Sequence, residues 1–290
     1  MHPGRRLRDL LAGDEVLVVP GAYDAITARL VAAHGFRAVY MTGAGTVNAH
    51  LGLPDLALGT MTELVENAAR IVDAVDLPVI CDADTGFGNA LNVVRAVSAF
   101  DRAGVAGIHI EDQESPKRCG HLDGKRIVPV AEMVGKVRAA CEARRSDDFV
   151  VVARVDAAAV EGIGPAVERA NAYVDAGADA VFAEALTAPG EFERFAQAGL
   201  DVPLLANMTE FGKTPYLTAA EFGALGFDAV LFPMMAFRLM LHAVDAGLAE
   251  LAATGTQVGL LERMMTRADL YELIEYQAWE NVERRYMGDT

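Results

Sequence analysis

The most reactive side chain in the sequence lies in the stretch SPKRCGHLDGKR, where Cys119 stands among basic residues instead of in an apolar run. The positive or potentially positive side chains nearby are Lys117, Arg118, His121 and Lys125. Such neighbours favour the thiolate, so they should lower the pKa of Cys119. The thiol could be a nucleophile, a general acid or base, or a bystander; the absence of a protease-type asparagine or aspartate partner weakens the nucleophile role. A thiol that donates a proton beside a metal-bound oxyanion is chemically plausible.

A second group of candidates is acidic and lies in the stretch CDADTGFG. Asp82 and Asp84 follow an apolar strand, and because strand side chains alternate, both carboxylates should project to the same side. The glycines after them let the backbone approach a ligand, and Glu111 ends the next strand. Three hard carboxylates without a cysteine or imidazole cluster suit Mg²⁺ or Mn²⁺ that keeps several waters. The alternative is that they cap helices or pair with cations of the barrel.

Positive charge for an anionic substrate could come from three arginines. Arg154 ends a strand, while Arg238 in MMAFR and Arg267 in MMTRADLYE lie in helical segments. Bidentate binding of a carboxylate requires arginine. The sequence pattern around Arg238 and Arg267, however, favours surface ion pairs for these two residues. Two further residues stay open: Tyr40 could be a base or a core tyrosine, and Asp55 could be a weaker site residue or a turn residue.

A regular alternation of strands and helices must hold these residues. Eight apolar runs alternate with helical segments: EVLVVPG (15–21), AVYMTG (38–43), PVICDAD (78–84), GIHIED (107–112), FVVVARVD (149–156), AVFAEA (180–185), PLLANMTE (203–210) and AVLFPM (229–234). Continuous apolar runs are typical of parallel strands covered on both faces, and a glycine recurs where several helices should end. The pattern predicts an α/β fold, a single-domain (β/α)₈ TIM barrel over residues 1–290. A doubly wound sheet is disfavoured because the chain lacks a GxGxxG turn.

More helix follows the eighth strand than barrel closure requires. Helices are predicted at 235–253 and at about 258–285, within a C-terminal extension over about 235–290. This extension could pack locally or serve as an oligomer arm.

Active sites of such barrels lie at the carboxyl ends of the strands. Charged residues there would be costly for a purely structural element, so a concave, charged active site is the preferred interpretation. The polar and glycine positions at the predicted strand ends are Thr42, Gly43, Asp82, Asp84, Glu111, Asp112, Arg154, Asp156, Glu184, Asn207, Thr209 and Glu210.

Composition and charge narrow the classes of function. With 52% apolar and 23% charged residues among 290, the chain can bury a large core. Its formal net charge of −16 argues against nucleic acid or an anionic membrane as partner, and its apolar runs are too short to span a bilayer. Cys81, Cys119 and Cys141 show no paired spacing, so neither a disulfide framework nor a zinc site is predicted. A reducing cytoplasm fits best.

Five motifs, DADTGFG, HIEDQ, KRCGH, ARVDA and NMTEFGKTP, resemble the isocitrate lyase/phosphoenolpyruvate mutase superfamily over nearly the whole chain. The resemblance is closer to its 2-methylisocitrate lyase and 2,3-dimethylmalate lyase branch, and KRCGH favours a carbon–carbon lyase over the mutases and the oxaloacetate-decarboxylase-like members. PGAYDAITARL is more similar to the dimethylmalate lyase side, TGAG replaces a more usual SGGG, and Val155 stands where threonine is common. These departures leave the exact substrate open.

The resemblance implies a metal site, a catalytic loop and a substrate site. Asp82 and Asp84 would hold Mg²⁺, with Mn²⁺ as an alternative, and Glu111 would act through bound water. Cys119 and Gly120 would lie on the catalytic loop. Substrate contacts would come from Thr42, Gly43, Ala44, Arg154, Glu184, Asn207, Met208, Thr209, Arg238 and Arg267, with Asp55 as a weaker member. This reverses the surface interpretation of the last two arginines.

The implied reaction is a retro-aldol, Claisen-type cleavage of a 2-hydroxy di- or tricarboxylate. Cys119 would protonate the departing carbanion, Arg154, His121 and loop amides would stabilise its charge, and Tyr40 is a candidate base. The preferred substrate is 2-methylisocitrate, which gives pyruvate and succinate. Alternatives are 2,3-dimethylmalate or another 2-alkylmalate and, less favoured, an oxaloacetate hydrolase or decarboxylase or a phosphonate mutase activity. The carboxylates and cysteine loop disfavour a catalytically silent binding barrel.

The resemblance also implies an assembly. The extra C-terminal helix of the family is exchanged between subunits of a homotetramer, which would account for the surplus helix here.

Overall fold

Residues 2–288 are described by the computed structural model, and eight strands of this part form one closed barrel with parallel neighbours. The first strand pairs with the eighth and closes the ring. Each strand overlaps one predicted run, so the predicted (β/α)₈ barrel is confirmed. Residues 1, 289 and 290, at the ends of the predicted 1–290 domain, lie outside the described part. The strands are β1 Leu17–Ala22, β2 Val39–Met41, β3 Val79–Asp82, β4 Gly107–Glu111, β5 Val150–Val155, β6 Ala180–Ala183, β7 Leu204–Asn207 and β8 Ala229–Phe232.

Helices surround the strands and cover one end of the barrel. Leu7 and Leu11 of the first helix are buried with the residues of the barrel interior and fill its amino-terminal end. The carboxyl end is thereby the side available for a site. The helices are α1 Pro3–Leu11, α2 Ala25–Ala33, α3 Gly43–Thr46, α4 Met61–Ala74, α5 Ala90–Arg102, α6 Val130–Ala143, α7 Ala158–Glu161, α8 Ile163–Asp175, α9 Pro189–Ala196, α10 Ala219–Ala224, α11 Met235–Thr254, α12 Arg267–Leu273 and α13 Tyr276–Met287; a π-helical segment, Val47–Leu51, follows α3, and a 3₁₀ segment, Val258–Arg263, follows α11.

Helix α4 shows how capping and apolar spacing combine in this fold. The Thr60 hydroxyl accepts a bond from Glu63 N (3.3 Å), and the Glu63 carboxylate accepts one from Thr60 N (2.8 Å). This capping box satisfies two backbone donors that the first turn leaves free. Leu64, Ala68 and Ile71 recur every three or four residues and are buried in the layer between strands and helices.

The barrel interior is built in layers because side chains alternate along each strand. His109 and Phe182 lie near the middle, with their ring centres 5.4 Å apart. The register of the strands sets Asp82 beside His109, and Glu111 beside Arg154. Charged residues therefore gather in the layer nearest the carboxyl end of the barrel.

The C-terminal extension is more divided than the sequence predicted. Helix α11 ends at Thr254, within one residue of the prediction. Beyond it, the Thr266 hydroxyl accepts a bond from Asp269 N (3.2 Å) and caps a new helix, α12. Glu275, in the left-handed region with φ 56°, separates α12 from α13. The prediction of one helix over 258–285 is therefore wrong.

The extension buries little of its apolar surface within the single chain. Among the described residues of α11, Phe237 alone is buried, and α13, described to Met287, buries none. Its exposed apolar side chains include Leu241, Leu248 and Trp279, the last 70% exposed. These faces do not form a transmembrane segment, since no helix within residues 2–288 is long and apolar enough to cross a membrane.

Candidate active site

A small cavity lies at the carboxyl end of the barrel, under the loop 113–127. It encloses about 60 Å³, the space of about two water molecules. The loop packs tightly on the barrel: a side chain at Gly120 would collide with Glu184 and lie 2.6 Å from Arg154. The space under the loop in this position is therefore small for an organic ligand. The cavity is lined by Tyr40, Thr42, Ala44, Asp55, Asp82, Lys117, Cys119, Gly120, His121, Arg154, Phe182, Glu184, Asn207, Thr209, Leu231, Pro233 and Met234.

Most of the predicted catalytic and substrate residues meet at this cavity. Gly43 lies just behind the lining, where an added Cβ would come 2.5 Å from Asp82 Oδ2. Glycine is therefore required for the backbone after β2 to approach this carboxylate. Thr42, which precedes it, accepts a bond from Gly45 N (3.2 Å) and caps the short helix α3.

The chain turns sharply where β3 ends at Asp82. Asp84 donates its backbone N–H to Asp82 Oδ1 (2.9 Å) and adopts a left-handed conformation with φ 47°, which aspartate tolerates better than most residues. The two carboxylates therefore do not project to the same side, and the prediction from strand alternation is wrong here. Asp82 lines the cavity, whereas Asp84 lies outside the lining and against Lys117.

Lys117 lies between two carboxylates that are distant in sequence. Its ammonium is 2.6 Å from Asp55 Oδ1 and 2.9 Å from Asp84 Oδ1. Burial by itself would lower the pKa of Lys117, but the charges of the surrounding aspartates raise this pKa well above its ordinary value. Burial raises the pKa of Asp84 to about 6, although Lys117 opposes the rise. Lys117 thus anchors the loop to the acidic side of the barrel, a role that the sequence did not reveal.

The thiol of Cys119 lies at the surface of the closed loop and lines the cavity. Loss of hydration raises its pKa above that of a free cysteine, against the effect of a hydrogen bond from the His121 backbone. The prediction of a lowered pKa is wrong because the nearby cations have other partners: Lys117 pairs with aspartates and Lys125 with Asp156 (2.9 Å). The thiol is protonated at neutral pH, which is the state that a proton donor requires.

Arg154 occupies the centre of the charged layer. Its guanidinium contacts Glu111 (3.1 Å), Asp156 (2.9 Å) and Glu184 (3.5 Å), and it lies 5.4 Å above the centre of the Phe182 ring. Burial by itself would raise the pKa of Glu184, but the Arg154 charge helps to hold this pKa below its ordinary range. Because Arg154 is fixed by these partners and also lines the cavity, it is suited to bind a substrate carboxylate.

His121 joins the loop to the opposite wall of the barrel. Its Nδ1 accepts a bond from Lys213 N (2.9 Å), so the neutral ring carries its proton on Nε2. That nitrogen lies 2.9 Å from Glu184 Oε1 and donates to it. Asn207 Nδ2 contacts both oxygens of Glu184 at 3.2 Å. The predicted residues His121, Glu184 and Asn207 thus form one connected group.

Tyr40 forms part of the cavity floor, together with a histidine that the sequence did not single out. Its hydroxyl lies 2.8 Å from His109 Nε2 and 3.5 Å from Asp82 Oδ2. Burial, assisted by the charge of Asp82, raises the pKa of Tyr40 well above its ordinary value, and burial lowers the pKa of His109 to about 4. Both side chains are uncharged at neutral pH. Tyr40 is therefore a hydrogen-bond donor at rest, the wrong protonation state for the candidate base.

Three predicted substrate residues lie away from the cavity within this chain. Met208 is buried in the core, where its sulfur accepts a bond from Leu217 N (3.5 Å). Arg238 on α11 pairs with Glu210 (3.3 Å), which agrees with the surface-ion-pair interpretation. Arg267 is exposed at the start of α12. A substrate contact for these three residues is not supported inside one chain.

Part of the cavity lining is apolar, although these residues were not among the predicted site residues; it is called the apolar wall. Its residues are Phe182, Leu231, Pro233 and Met234. Pro233 and Met234 directly follow β8, so they occupy the strand-end position at which barrel sites lie. Their position was a usable signal, but their apolar character made them look like core residues.

Comparison with known proteins places this site in a family. Residues 7–252 match the phosphoenolpyruvate phosphomutase family. A probable 2-methylisocitrate lyase 2 of Corynebacterium glutamicum is 47% identical over 289 residues, which cover 99% of this chain and 94% of that protein. The chain belongs to the phosphoenolpyruvate mutase/isocitrate lyase superfamily.

Further members of the superfamily resemble the chain over its whole length. The 2,3-dimethylmalate lyase of Eubacterium barkeri is 43% identical over 288 residues, 99% of each chain. A solved structure of 2,3-dimethylmalate lyase has a TM-score of 0.93 and 37% identity, over 98% of this chain and 95% of that one. Oxaloacetate acetylhydrolase with 3,3-difluorooxalacetate has a TM-score of 0.94 and 36% identity, over 100% and 98%. The predicted superfamily and lyase class are confirmed.

The acidic side of the cavity fits a divalent metal ion. Within residues 2–288, no three Asp, Glu, His or Cys side chains converge on a metal position, so the assignment of Asp82 and Asp84 as ligands, with Glu111 acting through bound water, stays a prediction. Of the described residues Asp82, Asp84 and Glu111, only Asp82 lines the cavity, and Glu111 Oε1 is buried without a hydrogen-bond partner in this part of the chain. One carboxylate plus waters and substrate oxygens is a usual arrangement for Mg²⁺.

A structural relative supports this fit. A phosphonopyruvate hydrolase is described as a complex with oxalate and Mg²⁺; it has a TM-score of 0.89 and 31% identity, over 99% of this chain and 100% of that one.

Proposed function

We propose that this member of the superfamily is a Mg²⁺-dependent carbon–carbon lyase that cleaves 2-methylisocitrate to pyruvate and succinate. One observation carries the proposal: a single cavity is lined by Cys119 on the loop, by Asp82 on the barrel and by an apolar wall. These supply a proton donor, a carboxylate for the metal and a place for a methyl group. Relatives named 2-methylisocitrate lyase, at 42–48% identity over nearly the whole chain, support it.

The cavity offers different surfaces to the two kinds of group on this substrate. Arg154 and the Thr209 hydroxyl can donate hydrogen bonds to carboxylates. Phe182, Leu231 and Pro233 can cover the methyl group on the carbon that bears the hydroxyl. Loss of one such contact in an apolar pocket costs about 1–3 kcal/mol. The apolar wall therefore favours a 2-methyl substrate over its unmethylated analogue, isocitrate.

Cleavage breaks the bond between the hydroxyl-bearing carbon and its neighbour. A base takes the hydroxyl proton, the oxygen becomes the carbonyl of pyruvate, and the electrons of the broken bond pass to the carbon that becomes part of succinate. Bound Mg²⁺ would supply polarisation of the hydroxyl and carboxylate oxygens. Arg154 and the Tyr40 hydroxyl stabilise the negative charge that develops. Cys119 then transfers its proton to the carbanion, while the closed loop excludes water.

A second candidate substrate is 2,3-dimethylmalate, as the similarity to the enzyme of Eubacterium barkeri suggests. Its cleavage yields the same methyl-bearing fragment, pyruvate, so the apolar wall fits both compounds. The difference is that 2-methylisocitrate carries a carboxymethyl group where 2,3-dimethylmalate carries a methyl group, which gives it a third carboxylate. Asn207 and Thr209, which line the cavity, can bind that third carboxylate and would lack a partner in the smaller substrate.

The substrate is tested by product release from 2-methylisocitrate, isocitrate, 2,3-dimethylmalate and citramalate, measured as NADH oxidation with lactate dehydrogenase. We expect the highest kcat/KM for 2-methylisocitrate, and a loss of about 10- to 200-fold for isocitrate because one methyl contact is missing. A higher kcat/KM for 2,3-dimethylmalate would replace the first candidate by the second. In a separate assay with oxaloacetate, release of oxalate faster than any of these cleavages would contradict both.

The C-terminal extension is proposed to pack on another subunit, with the exchanged helix and homotetramer that the family resemblance implies. Its long apolar faces are uncovered within one chain, as the 70% exposure of Trp279 illustrates. An apolar patch of this extent is typical of a protein–protein contact. The same packing could bring Arg267, which is exposed on its own chain, to a neighbouring site.

Substitution of Trp279 by arginine tests this assembly. A buried charge without a partner destabilises an interface strongly, so Trp279→Arg should release species smaller than the wild type, measured by multi-angle light scattering against the 30.8 kDa chain. The matched control is Leu91→Arg on α5, a position that is 79% exposed, which should keep the wild-type mass. An unchanged mass for Trp279→Arg would show that the extension packs locally.

A cytoplasmic location is also proposed. Within the described part of the chain, Cys81, Cys119 and Cys141 are free thiols. Free thiols persist where glutathione and thioredoxin keep cysteines reduced.

A further inference from the structure

Gln113 is a buried polar residue that the proposed chemistry does not use. It lies two residues after the end of β4, where the loop leaves the barrel, and is 1% exposed. Its side-chain amide pairs with the backbone of one loop residue: Oε1 accepts from Arg118 N (3.0 Å) and Nε2 donates to Arg118 O (2.8 Å). These two bonds have the pattern that a neighbouring β-strand would form with the Arg118 backbone. The residue that it fixes immediately precedes Cys119.

The same amide reaches a second buried group, the carboxylate of Asp156. Gln113 Nε2 lies 3.2 Å from Asp156 Oδ1, and that oxygen also accepts from Lys125 Nζ (2.9 Å). Arg154 donates to both oxygens, from Nε at 2.9 Å and from Nη2 at 3.2 Å. One carboxylate therefore connects two points of the loop, Gln113 and Lys125, to the arginine that lines the cavity.

Asp156 is itself held in place by a second buried carboxylate, that of Asp112. Its backbone N–H donates to Asp112 Oδ1 (2.8 Å), and Asp112 Oδ2 accepts from the Tyr173 hydroxyl (2.9 Å). Asp112 and Asp156 are fully buried. A shift of the loop would leave the Asp156 carboxylate short of donors in a place that water does not reach, and such a state is disfavoured. The network thus specifies one closed position.

We infer that Gln113 and Asp156 are positioning residues, which set the thiol of Cys119 in a fixed relation to Arg154 when the loop closes. The inference rests on the proposed function in one respect, that Cys119 is the proton donor. A proton transfer depends steeply on the placement of the donor. The line of bonds from Arg154 through Asp156 and Gln113 to the backbone before Cys119 supplies that placement.

The first test replaces the amide by a side chain of similar length. Gln113→Met removes both hydrogen-bonding groups, so the loop should leave its closed position more often. The Cys119 thiol is then hydrated, its raised pKa falls towards that of a free cysteine, and it reacts faster. We expect alkylation of Cys119 by iodoacetamide, without substrate and followed by mass spectrometry, to accelerate about ten-fold, as the loss of the two bonds to the Arg118 backbone would give. The control is Gln197→Met, an exposed glutamine at the end of α9. An unchanged alkylation rate for Gln113→Met would overturn the inference.

The second test separates positioning from general stability. Gln113→Met should lower kcat by about ten-fold with little change in KM. In a Cys119→Ser background it should lower kcat no further, because Gln113 acts through the thiol. An equal fall in both backgrounds would assign Gln113 a merely structural role and would overturn the inference.

The third test uses the wild-type chain and needs neither a variant nor a substrate. Amide hydrogen exchange at Arg118 should be at least about ten-fold slower than at Asp123 and Gly124 on the exposed tip of the loop, because Gln113 holds the Arg118 N–H. Equal exchange would mean that the bond does not persist in solution, and the inference would fail even if Gln113→Met does not fold. Alkylation and exchange also decide the inference if the proposed substrate proves wrong.

Discussion

Replacement of Cys119 by serine is expected to lower kcat for 2-methylisocitrate by about a hundred- to ten-thousand-fold, the range that a general acid contributes. A serine hydroxyl is a far weaker acid than a thiol, so protonation of the succinate carbanion slows. KM should change little, since the lost interaction belongs to the transition state and the cavity keeps its other contacts. Steady-state pyruvate release, together with equilibrium binding of succinate, measures both effects.

The control for this experiment is Cys141→Ser. Cys141 lies on α6, where its thiol donates to Gly177 O (3.1 Å) and does not line the cavity, so turnover should stay at the wild-type value. The raised pKa of Cys119 adds a pH criterion. The donor must be protonated, so its contribution should persist from neutral pH to beyond the ordinary pKa of a free thiol and fall only above the raised pKa. Near wild-type turnover by Cys119→Ser would show that the thiol is not the acid.

The barrel was predictable because its strands are buried on both faces. β5 reads VVVARV, and Arg154 is the single polar residue among its six. That residue stands at the strand end, where the carboxyl ends of all parallel strands meet. The same reasoning placed Asp82, Glu184 and Asn207 correctly at the cavity. The position of a residue along its strand was therefore enough to predict most of the residues at the cavity.

What the sequence could not show is which partners the polar side chains choose in space. Lys117 is two residues from Cys119, but it turns away from the thiol to bind Asp55 and Asp84, both from earlier parts of the chain. The loop cations thus do not activate the thiol, and burial raises its pKa instead. The backbone turn at Asp84 likewise separates two carboxylates that strand alternation would align. Such choices depend on tertiary packing, not on local spacing.

The limits of local pattern also explain the C-terminal extension. Apolar spacing predicted helix over 258–285, but periodicity does not register a capping threonine such as Thr266 or a left-handed residue such as Glu275. The helical content was predicted and the breaks were not.

The largest effect on metal binding is expected from Asp82→Asn. Asp82 lines the cavity, and its carboxylate stays ionised: burial acts to raise its pKa, but the positive groups around it, among them Lys117 and Arg154, bring the pKa below its ordinary value. An amide removes that charge and leaves the fold, checked by circular dichroism, in place. Since loss of an outer partner already costs about 10- to 100-fold in metal affinity, loss of Asp82 should cost at least about 100-fold. Mn²⁺ binding, followed by electron paramagnetic resonance, measures this independently of turnover.

Two matched variants make this prediction specific to Asp82. Asp84→Asn should weaken Mn²⁺ binding less, by about ten-fold, because Asp84 is paired with Lys117 outside the cavity lining. Asp76→Asn, on a fully exposed carboxylate that pairs with Arg6, should change nothing. Turnover should vanish with excess chelator and return with Mg²⁺ or Mn²⁺, as expected if the cation polarises the substrate hydroxyl. Within the described chain, Asp82 is the one member of the Asp82, Asp84 and Glu111 group that lines the cavity, so neither of the others can replace it there. Full activity in chelator, or wild-type Mn²⁺ affinity in Asp82→Asn, would therefore contradict the metal assignment.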